Sequence, residues 1–505
     1  MKEMTRVTDN SIRSEPSPNV TVAISMAVYG MAMGSVMLLI GLYRYGTKPS
    51  LGQFLLSPGG ILCVVAVLGF IIAGGVLVRF ICGSQGRSRD RVNAVIMSLL
   101  IIVLVGALSE ATLRIATQNM STRERQLSHR ATELLGGVHT QGGTYVANFH
   151  LLPRQWREYA DRNRTVLARA SQLKPFIVGD DTLGWTVGPN RKSEHGLYES
   201  SVEGLRSATQ GEVLRKGLGD CRVALVGDSF TFGEDVRFED SWGYRLEQLL
   251  PKGCRVLNFG VGAYGIGQMY LRYMRDVRSW KPDLVILSFI DHDVYRTMSV
   301  YGFLMLPDSD WPFVIPRFVL DQGDKLNIVN RPLPKAEEIF LYPYIHELPF
   351  IEYDWAYRRT EWDRPLWYYV HRSYLMRFLT SIYPLHEKDR PFVSDGDMHA
   401  VNQSLLTSFV DAVRKDRAIP LLVYLPAKAN YGTPPTRIPE GLKILKNAKL
   451  EYVDLTSCVG RVAEPDRFIA LGVGMGGGHY TPQANAAVAV CLGPTVQGLV
   501  RPAMK

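Results

Sequence analysis

The stretch Val223–Asp235 reads VALVGDSFTFGED. Its apolar opening stops abruptly at Gly-Asp-Ser. A short apolar run bounded by a turn residue has the pattern of a buried strand. A serine at the mouth of such a strand serves either a turn or a nucleophile. Its hydroxyl attacks well only when a base removes the proton, so the rest of the chain must supply that base.

Further apolar runs follow, separated by helical stretches. Arg222–Val226, Val256–Phe259, Leu284–Phe289, Leu421–Tyr424 and Tyr452–Leu455 are the candidate strands. Trp242–Leu250, Gly267–Arg278, Val401–Lys415 and Pro482 to about Leu492 are the candidate helical connectors. This alternation predicts parallel βα units, a sheet covered on both faces and a ligand site at the carboxyl ends of the strands. Ser229 then stands at that edge. The segment GGGHYTPQANAAVAV places His479 in a glycine-rich loop before the last helix, where the loop can open on the same edge.

Four segments in order resemble the blocks of the SGNH (GDSL-type) hydrolase superfamily. They are GDSFTFGEDV, VLNFGVGAYGIGQ, LVILSFIDHDVYR and GGHYTPQANAAVA. The lead-in DDTLGWTVGPN…SVEGLRS resembles that of membrane-anchored bacterial members. The resemblance implies a three-layer α/β/α, flavodoxin-like fold with a parallel five-stranded sheet. It implies that Ser229 attacks an ester carbonyl and that His479 is general base and then general acid. The backbone N–H of Ser229 and donors at Ala263 and His292 would form the oxyanion hole.

The chain departs from the family pattern at three places. Ala263 stands where glycine is usual, and His292 where asparagine is usual. Gly476 stands where an aspartate commonly orients the histidine, so Asp466, another acid or a backbone carbonyl would have to do so. Asp228 reads as a loop-organising acceptor, and Asp293 as a further support or a polar strand end. Asp291, His292 and Asp293 are too close in sequence to converge easily on one ion. Neither a metal nor another cofactor is expected.

The N-terminal region has a different composition. Segments at about 20–43, 57–78 and 92–110 are strongly apolar, and the first two have the ~20 residues that a spanning helix needs. Basic residues crowd the N-terminal tail and the second connection, with Arg79, Arg87, Arg89 and Arg91 in the latter. This favours a cytoplasmic N-terminus and an extracytoplasmic C-terminal part. The expected organisation is a three-helix membrane anchor at 1–117, linker or stalk helices and a lead-in at 118–220, and the hydrolase-like domain at 221–499. An insertion at about 294–398, rich in Trp, Tyr and Pro, is either a cap over the site or scaffold.

Cys221 and Cys254 each open a candidate strand, and adjacent parallel strands would bring them together. Cys458 and Cys491 pair by elimination, the alternative being four buried thiols. The net charge of +9 belongs partly to the membrane flanks. Aromatic residues are not interleaved with basic ones as in single-strand binders, so nucleic acid is not an expected partner.

These features lead to a serine esterase or O-acyl (acetyl) transferase of the cytoplasmic (inner) membrane, with its C-terminal domain periplasmic or extracellular. The expected substrate is an acylated carbohydrate of the cell surface or envelope, or another ester. The expected contacts are the bilayer, through the N-terminal helices, and a membrane acyl donor protein. The competing readings are a surface-polysaccharide binding or assembly factor that has lost turnover, and a lipase or phospholipase at the bilayer.

Overall fold

The computed structural model describes residues 175–305, 311–357, 373–376, 394–431, 438–469 and 478–500, with helical residues within 106–111 and 156–168. The apolar segments at 20–43 and 57–78 lie outside them, as does 92–110 except for its last few positions. Among the described residues no helix is long and apolar enough to cross a membrane. The chain divides into two compact units, the first being Met1–Arg125, Asn148–Leu152 and Tyr369–Leu385. Within that unit the Glu110 carboxylate accepts from the Ser373 hydroxyl at 2.7 Å and from the N–H groups of Tyr374 and Leu375.

The second unit holds the sheet. Two antiparallel pairs come first, β1 (Ile177–Asp180) with β2 (Gly184–Val187) and β3 (Glu199–Ser200) with β4 (Arg206–Ser207). Next come β5 (Cys221–Gly227), α1 (Ser229–Phe232), α2 (Trp242–Leu249), β6 (Cys254–Asn258) and α3 (Ile266–Arg272). They are followed by β7 (Leu284–Phe289), α4 (Asp291–Arg296) and the hairpin of β8 (Phe318–Leu320) and β9 (Leu326–Ile328). The chain continues through α5 (Asp395–Lys415), β10 (Ile419–Tyr424), α6 (Glu440–Asn447), β11 (Tyr452–Asp454) and α7 (Pro482–Val500).

The five parallel strands lie in the order β11-β10-β7-β5-β6. In order of appearance this is 2-1-3-4-5, the flavodoxin-like arrangement, whose switch point lies between β5 and β7. The period-two alternation of strands explains why β5 is apolar throughout. Ala224 and Val226 face a core with Met269, Leu405 and Phe409, whereas Val223 and Leu225 face one with Trp242, Leu246, Val488 and Leu492. The first core is covered by α3 and α5, the second by α2 and α7.

All five expected strands are present, with ends differing by a few residues. Helix α5 starts six residues before the expected Val401. Ser394 caps it by accepting from the Asp397 N–H, and the Asp397 carboxylate returns to the Ser394 N–H. Helix α7 runs past Leu492 and through Pro494 because Val496 and Val500 continue its buried face. Both expected disulfides form, Cys221–Cys254 and Cys458–Cys491.

The described part of the insertion packs into hydrophobic cores. Phe318 lies in the core shared with α3 and α5, while Tyr301, Phe303 and Phe340 pack with Trp156 from the expected stalk region. The buried Asp354 carboxylate accepts from the N–H groups of Val300, Tyr301 and Ala356. Val294, at the expected start of the insertion, is buried in the first core with Phe318 and Trp355.

Candidate active site

Strand β5 ends at Gly227, and the Asp228 carboxylate caps α1 by accepting from the Phe230 N–H at 3.0 Å. This capping puts Ser229 in the first position of a one-turn helix at the carboxyl edge of the sheet. Two neighbouring strands hold that turn. Asn258, the last residue of β6, donates to the Thr231 carbonyl at 2.9 Å. The Thr231 hydroxyl meets the Ser288 hydroxyl of β7 at 2.5 Å.

His479 is held from the other side. Its carbonyl accepts from the Ile469 N–H at 2.8 Å. Tyr480 beside it is buried, with its hydroxyl on the Pro426 carbonyl and its carbonyl receiving Asn485 Nδ2. The Phe230 ring packs edge-on against both the imidazole and the Tyr480 ring. The fold thereby brings together two residues 250 positions apart, and His479 Nε2 lies 3.0 Å from Ser229 Oγ.

The residue that orients this imidazole is Asp235. Its Oδ2 lies 2.7 Å from His479 Nδ1, and its side chain is 1% exposed. Asp466 does not fill this place: it is exposed, and its backbone carbonyl receives the Thr481 hydroxyl. Gly476 lies outside the described residues. Sequence patterns do not point to Asp235, because the acid of the resembled family lies just before the histidine. The signal lay within the opening stretch, as GED directly after a one-turn helix. Gly233 leaves that helix at φ 79°, a left-handed conformation that glycine adopts without a Cβ clash. The turn folds back so that the Glu234 N–H reaches the Ser229 carbonyl at 2.9 Å. Asp235, also left-handed at φ 67°, then points to the histidine.

The lead-in supports this turn. Tyr198 Oη accepts from the Asp235 N–H at 2.8 Å. Arg206 is buried against the Tyr198 and Phe232 rings, which pack edge-on to each other, and donates to the Val236 carbonyl at 2.7 Å. Burial holds its guanidinium down at about 10.

Burial works to lower the His479 pKa. The negative charge of Glu234 and the hydrogen bond and charge of Asp235 outweigh it, so the value is raised above the ordinary 6.5. With Nδ1–H donating to Asp235, Nε2 is left to accept the Ser229 proton.

The segment after β6 runs beside the serine turn, with the Val261 N–H on the Gly227 carbonyl. Ala263 is buried there at φ 63°. The N–H groups of Ser229 and Ala263 have no acceptor among the described residues. His292 is exposed in the first turn of α4, at the carboxyl end of β7.

Asp293 is buried and caps α4 through the Ile290 N–H, with Arg296 Nη1 at 2.7 Å from its other oxygen. The same Arg296 nitrogen lies 3.5 Å from Asp228 Oδ2. Burial raises the pKa of both carboxyls; Asp293 goes well above its ordinary value because the Asp228 charge adds to burial. Asp291 turns instead to the N–H groups of Glu440 and Gly441 and to the Tyr424 hydroxyl. Among the described residues no group of His, Cys, Asp and Glu has the arrangement of a metal site.

Residues 223–333 match the model of the GDSL-like Lipase/Acylhydrolase family. This GDSL-type match spans the nucleophile turn and the second and third blocks, and the family implies serine esterase or acylhydrolase chemistry. No curated protein matches the chain. Among solved structures, a lipase/acylhydrolase from Enterococcus faecalis is 13% identical, with 55% of this chain and 96% of that one covered and a TM-score of 0.28. A catalytic mutant of an acetylxylan esterase from Geobacillus stearothermophilus is 14% identical, with 54% and 91% covered and a TM-score of 0.28. Neither likeness, at such a TM-score, supports a functional assignment.

Proposed function

We propose that this chain is a membrane-tethered, extracytoplasmic serine esterase or O-acyltransferase acting on acylated carbohydrate through a Ser229–His479–Asp235 triad. The observation that carries the chemistry is the continuous array from Asp235 Oδ2 through both imidazole nitrogens to Ser229 Oγ, at 2.7 and 3.0 Å.

In the first step Ser229 Oγ attacks the ester carbonyl carbon while its proton passes to His479 Nε2. The carbonyl oxygen becomes an oxyanion, which the N–H groups of Ser229 and Ala263 receive. Asp235 keeps the imidazole in the required tautomer and stabilises the imidazolium. Collapse breaks the bond to the alcohol oxygen, which takes the proton from Nε2, and leaves an acyl-serine. Water or an acceptor hydroxyl then attacks the acyl carbon, with His479 again taking the proton, and the bond to Ser229 Oγ breaks as Nε2 returns that proton to the serine. Hydrolysis and transfer differ only in that last nucleophile. The exposed His292 is proposed as a third contact for the oxyanion. Asp228, Asp293 and Arg296 act behind the nucleophile as supports of its turn.

Three apolar segments, charged only at Glu110 at the end of the third, support the tether, and the distribution of basic flanks supports the orientation. Two disulfides fit an oxidising compartment. The reading as a fold without turnover rests on Gly476 and His292; the Asp235 carboxylate on His479 Nδ1 favours turnover over it.

The test uses the full-length chain with a fluorophosphonate label and an acetyl-ester assay. Labelling and turnover are expected in the wild type. In Ser229→Ala the label is lost, and turnover falls by about 10⁴-fold or more in Ser229→Ala and His479→Ala. Labelling that persists in Ser229→Ala, or its absence from the wild type together with absence of turnover, refutes the assignment. Product analysis with a polysaccharide acceptor separates transfer from hydrolysis. A reporter fused after Thr117 that reads as cytoplasmic refutes the orientation.

A further inference from the structure

Glu234 is the one member of the Gly233–Asp235 turn whose side chain the triad leaves unused. It is half-buried, and its carboxylate makes no hydrogen bond or ion pair among the described residues. Its backbone is fixed by the bond from its N–H to the Ser229 carbonyl. Its Oε2 would lie 3.0 Å from a Cβ built on Gly262, the residue just before Ala263. The carboxylate therefore stands against the loop carrying the Ala263 N–H. It also feels His479, Tyr198 and Arg206 electrostatically. Arg206 does not neutralise it by pairing: that guanidinium lies against the Tyr198 and Phe232 rings and donates to the Val236 carbonyl. Asp235, the next residue, is engaged with the imidazole.

A half-buried carboxylate with no donor among the described residues can accept one from an incoming group. The position specifies which part of a substrate can do so. His479 Nε2 delivers its proton to the departing alcohol oxygen and removes one from the entering acceptor. Glu234 directly precedes Asp235, which holds that imidazole, and its own carboxylate stands beside the oxyanion loop, so an alcohol moiety seated at His479 comes within its reach. A neutral alcohol moiety with further hydroxyls offers donors there, whereas a phosphodiester or uronate brings a like charge.

We propose that Glu234 is a specificity-determining residue that accepts a hydrogen bond from a free hydroxyl on the alcohol moiety of the ester, selecting neutral polyols and sugars over anionic alcohols. This inference rests on the esterase reading and narrows its substrate class. It also sets the site against phospholipid esters.

The experiment compares full-length wild type and Glu234→Gln on three esters. These are p-nitrophenyl acetate, a mono-O-acetylated methyl glucoside with its other hydroxyls free, and the matching mono-O-acetylated glucuronate. All are measured on the alkaline plateau, where the effect of Glu234 on His479 protonation cancels. In the wild type kcat/KM is expected to be highest for the glucoside. In Glu234→Gln the ratio of glucoside to p-nitrophenyl acetate falls by about 10-fold or more, the size of one hydrogen bond to a charged acceptor. The ratio of glucuronate to glucoside rises. Unchanged ratios, or a wild type that turns over p-nitrophenyl acetate without favouring the glucoside, overturn the inference and leave the esterase reading intact. Absence of turnover on all three, together with absence of fluorophosphonate labelling at Ser229, instead removes the esterase reading and the inference with it.

Discussion

The two edges of the central sheet are built on opposite principles. At the amino edge β5 and β6 are joined covalently by Cys221–Cys254. Asp283 there accepts the Arg222 N–H through its side chain, donates its own N–H to the Arg222 carbonyl and receives the Ile419 N–H. Three adjacent strands start from one closed network. At the carboxyl edge the same strands end in left-handed Ala263 and Asp235 and in the buried carboxyls of Asp228 and Asp293. Asp228 Oδ2 has no hydrogen-bond partner among the described residues. Left-handed residues stand at both edges, Lys281, Arg417 and Lys449 leading into β7, β10 and β11, but the buried carboxyls gather where chemistry is proposed, whereas the Cys221–Cys254 bridge and the Asp283 network join strands at the far end. The contrast teaches that changes at the carboxyl edge should alter activity more than stability, with the reverse at the amino edge.

The largest expected effect tests the carboxyl edge. Asp235→Asn keeps the shape but favours the wrong tautomer of His479, so kcat should fall by about 10³–10⁴-fold with thermal stability nearly unchanged. The pH profile adds a second readout. His479 must be neutral to accept the serine proton, so wild-type activity is lost as pH falls through its raised pKa. The acid limb should therefore lie above 6.5, and in Asp235→Asn it should move to lower pH because one raising influence is gone. A variant with wild-type kcat would show that the imidazole is oriented by something else.

Next comes the amino edge. The Cys221–Cys254 bridge closes a sequence separation of 33, for which chain entropy gives about 3–4 kcal/mol. The double variant Cys221→Ser, Cys254→Ser should lose that much in denaturant unfolding while kcat at low temperature stays near wild type. Loss of activity without loss of stability would erase the contrast between the edges.

Much of this architecture was legible beforehand because it rests on local patterns. Apolar runs bounded by turn residues mark all five strands, and the cysteines opening two of them indicate the bridge. Ser229 and His479 were legible together because parallel strands direct their loops to one edge. Asp235 was not, since its approach to His479 depends on the return of a one-turn helix through left-handed Gly233. Tyr198 and Arg206 were hidden for a similar reason. They reach the site from short antiparallel strands far upstream, and no spacing links them to it. The start of α5 was missed because its Ser-Asp-Gly-Asp opening carries no apolar period.

A smaller effect probes how far the carboxyl edge reaches into the lead-in. Tyr198→Phe removes the acceptor for the Asp235 N–H while keeping the ring under Arg206. One lost hydrogen bond should lower kcat by about 5–10-fold, with KM little changed. Because Tyr198 acts through Asp235, the same change in an Asp235→Asn background should cost much less. Equal losses in both backgrounds would make Tyr198 a structural residue only.

The smallest effect is expected at Ala263, where strain and function can be separated. A left-handed alanine costs about 1–2 kcal/mol, which glycine would relieve. Glycine also gives up a buried methyl worth about 0.8 kcal/mol and adds freedom to the unfolded chain worth about 0.4–1 kcal/mol. These terms nearly cancel, so Ala263→Gly should shift stability by less than about 1 kcal/mol. It retains the N–H in the same conformation, so kcat should stay within about threefold of wild type. Ala263→Val keeps a donor too, but a β-branched residue resists positive φ and would pull the N–H out of place. Loss of kcat in the valine variant with retention in the glycine variant ties the position to its backbone donor. A comparable loss in both would instead assign the function to the methyl group, and the oxyanion would need another donor.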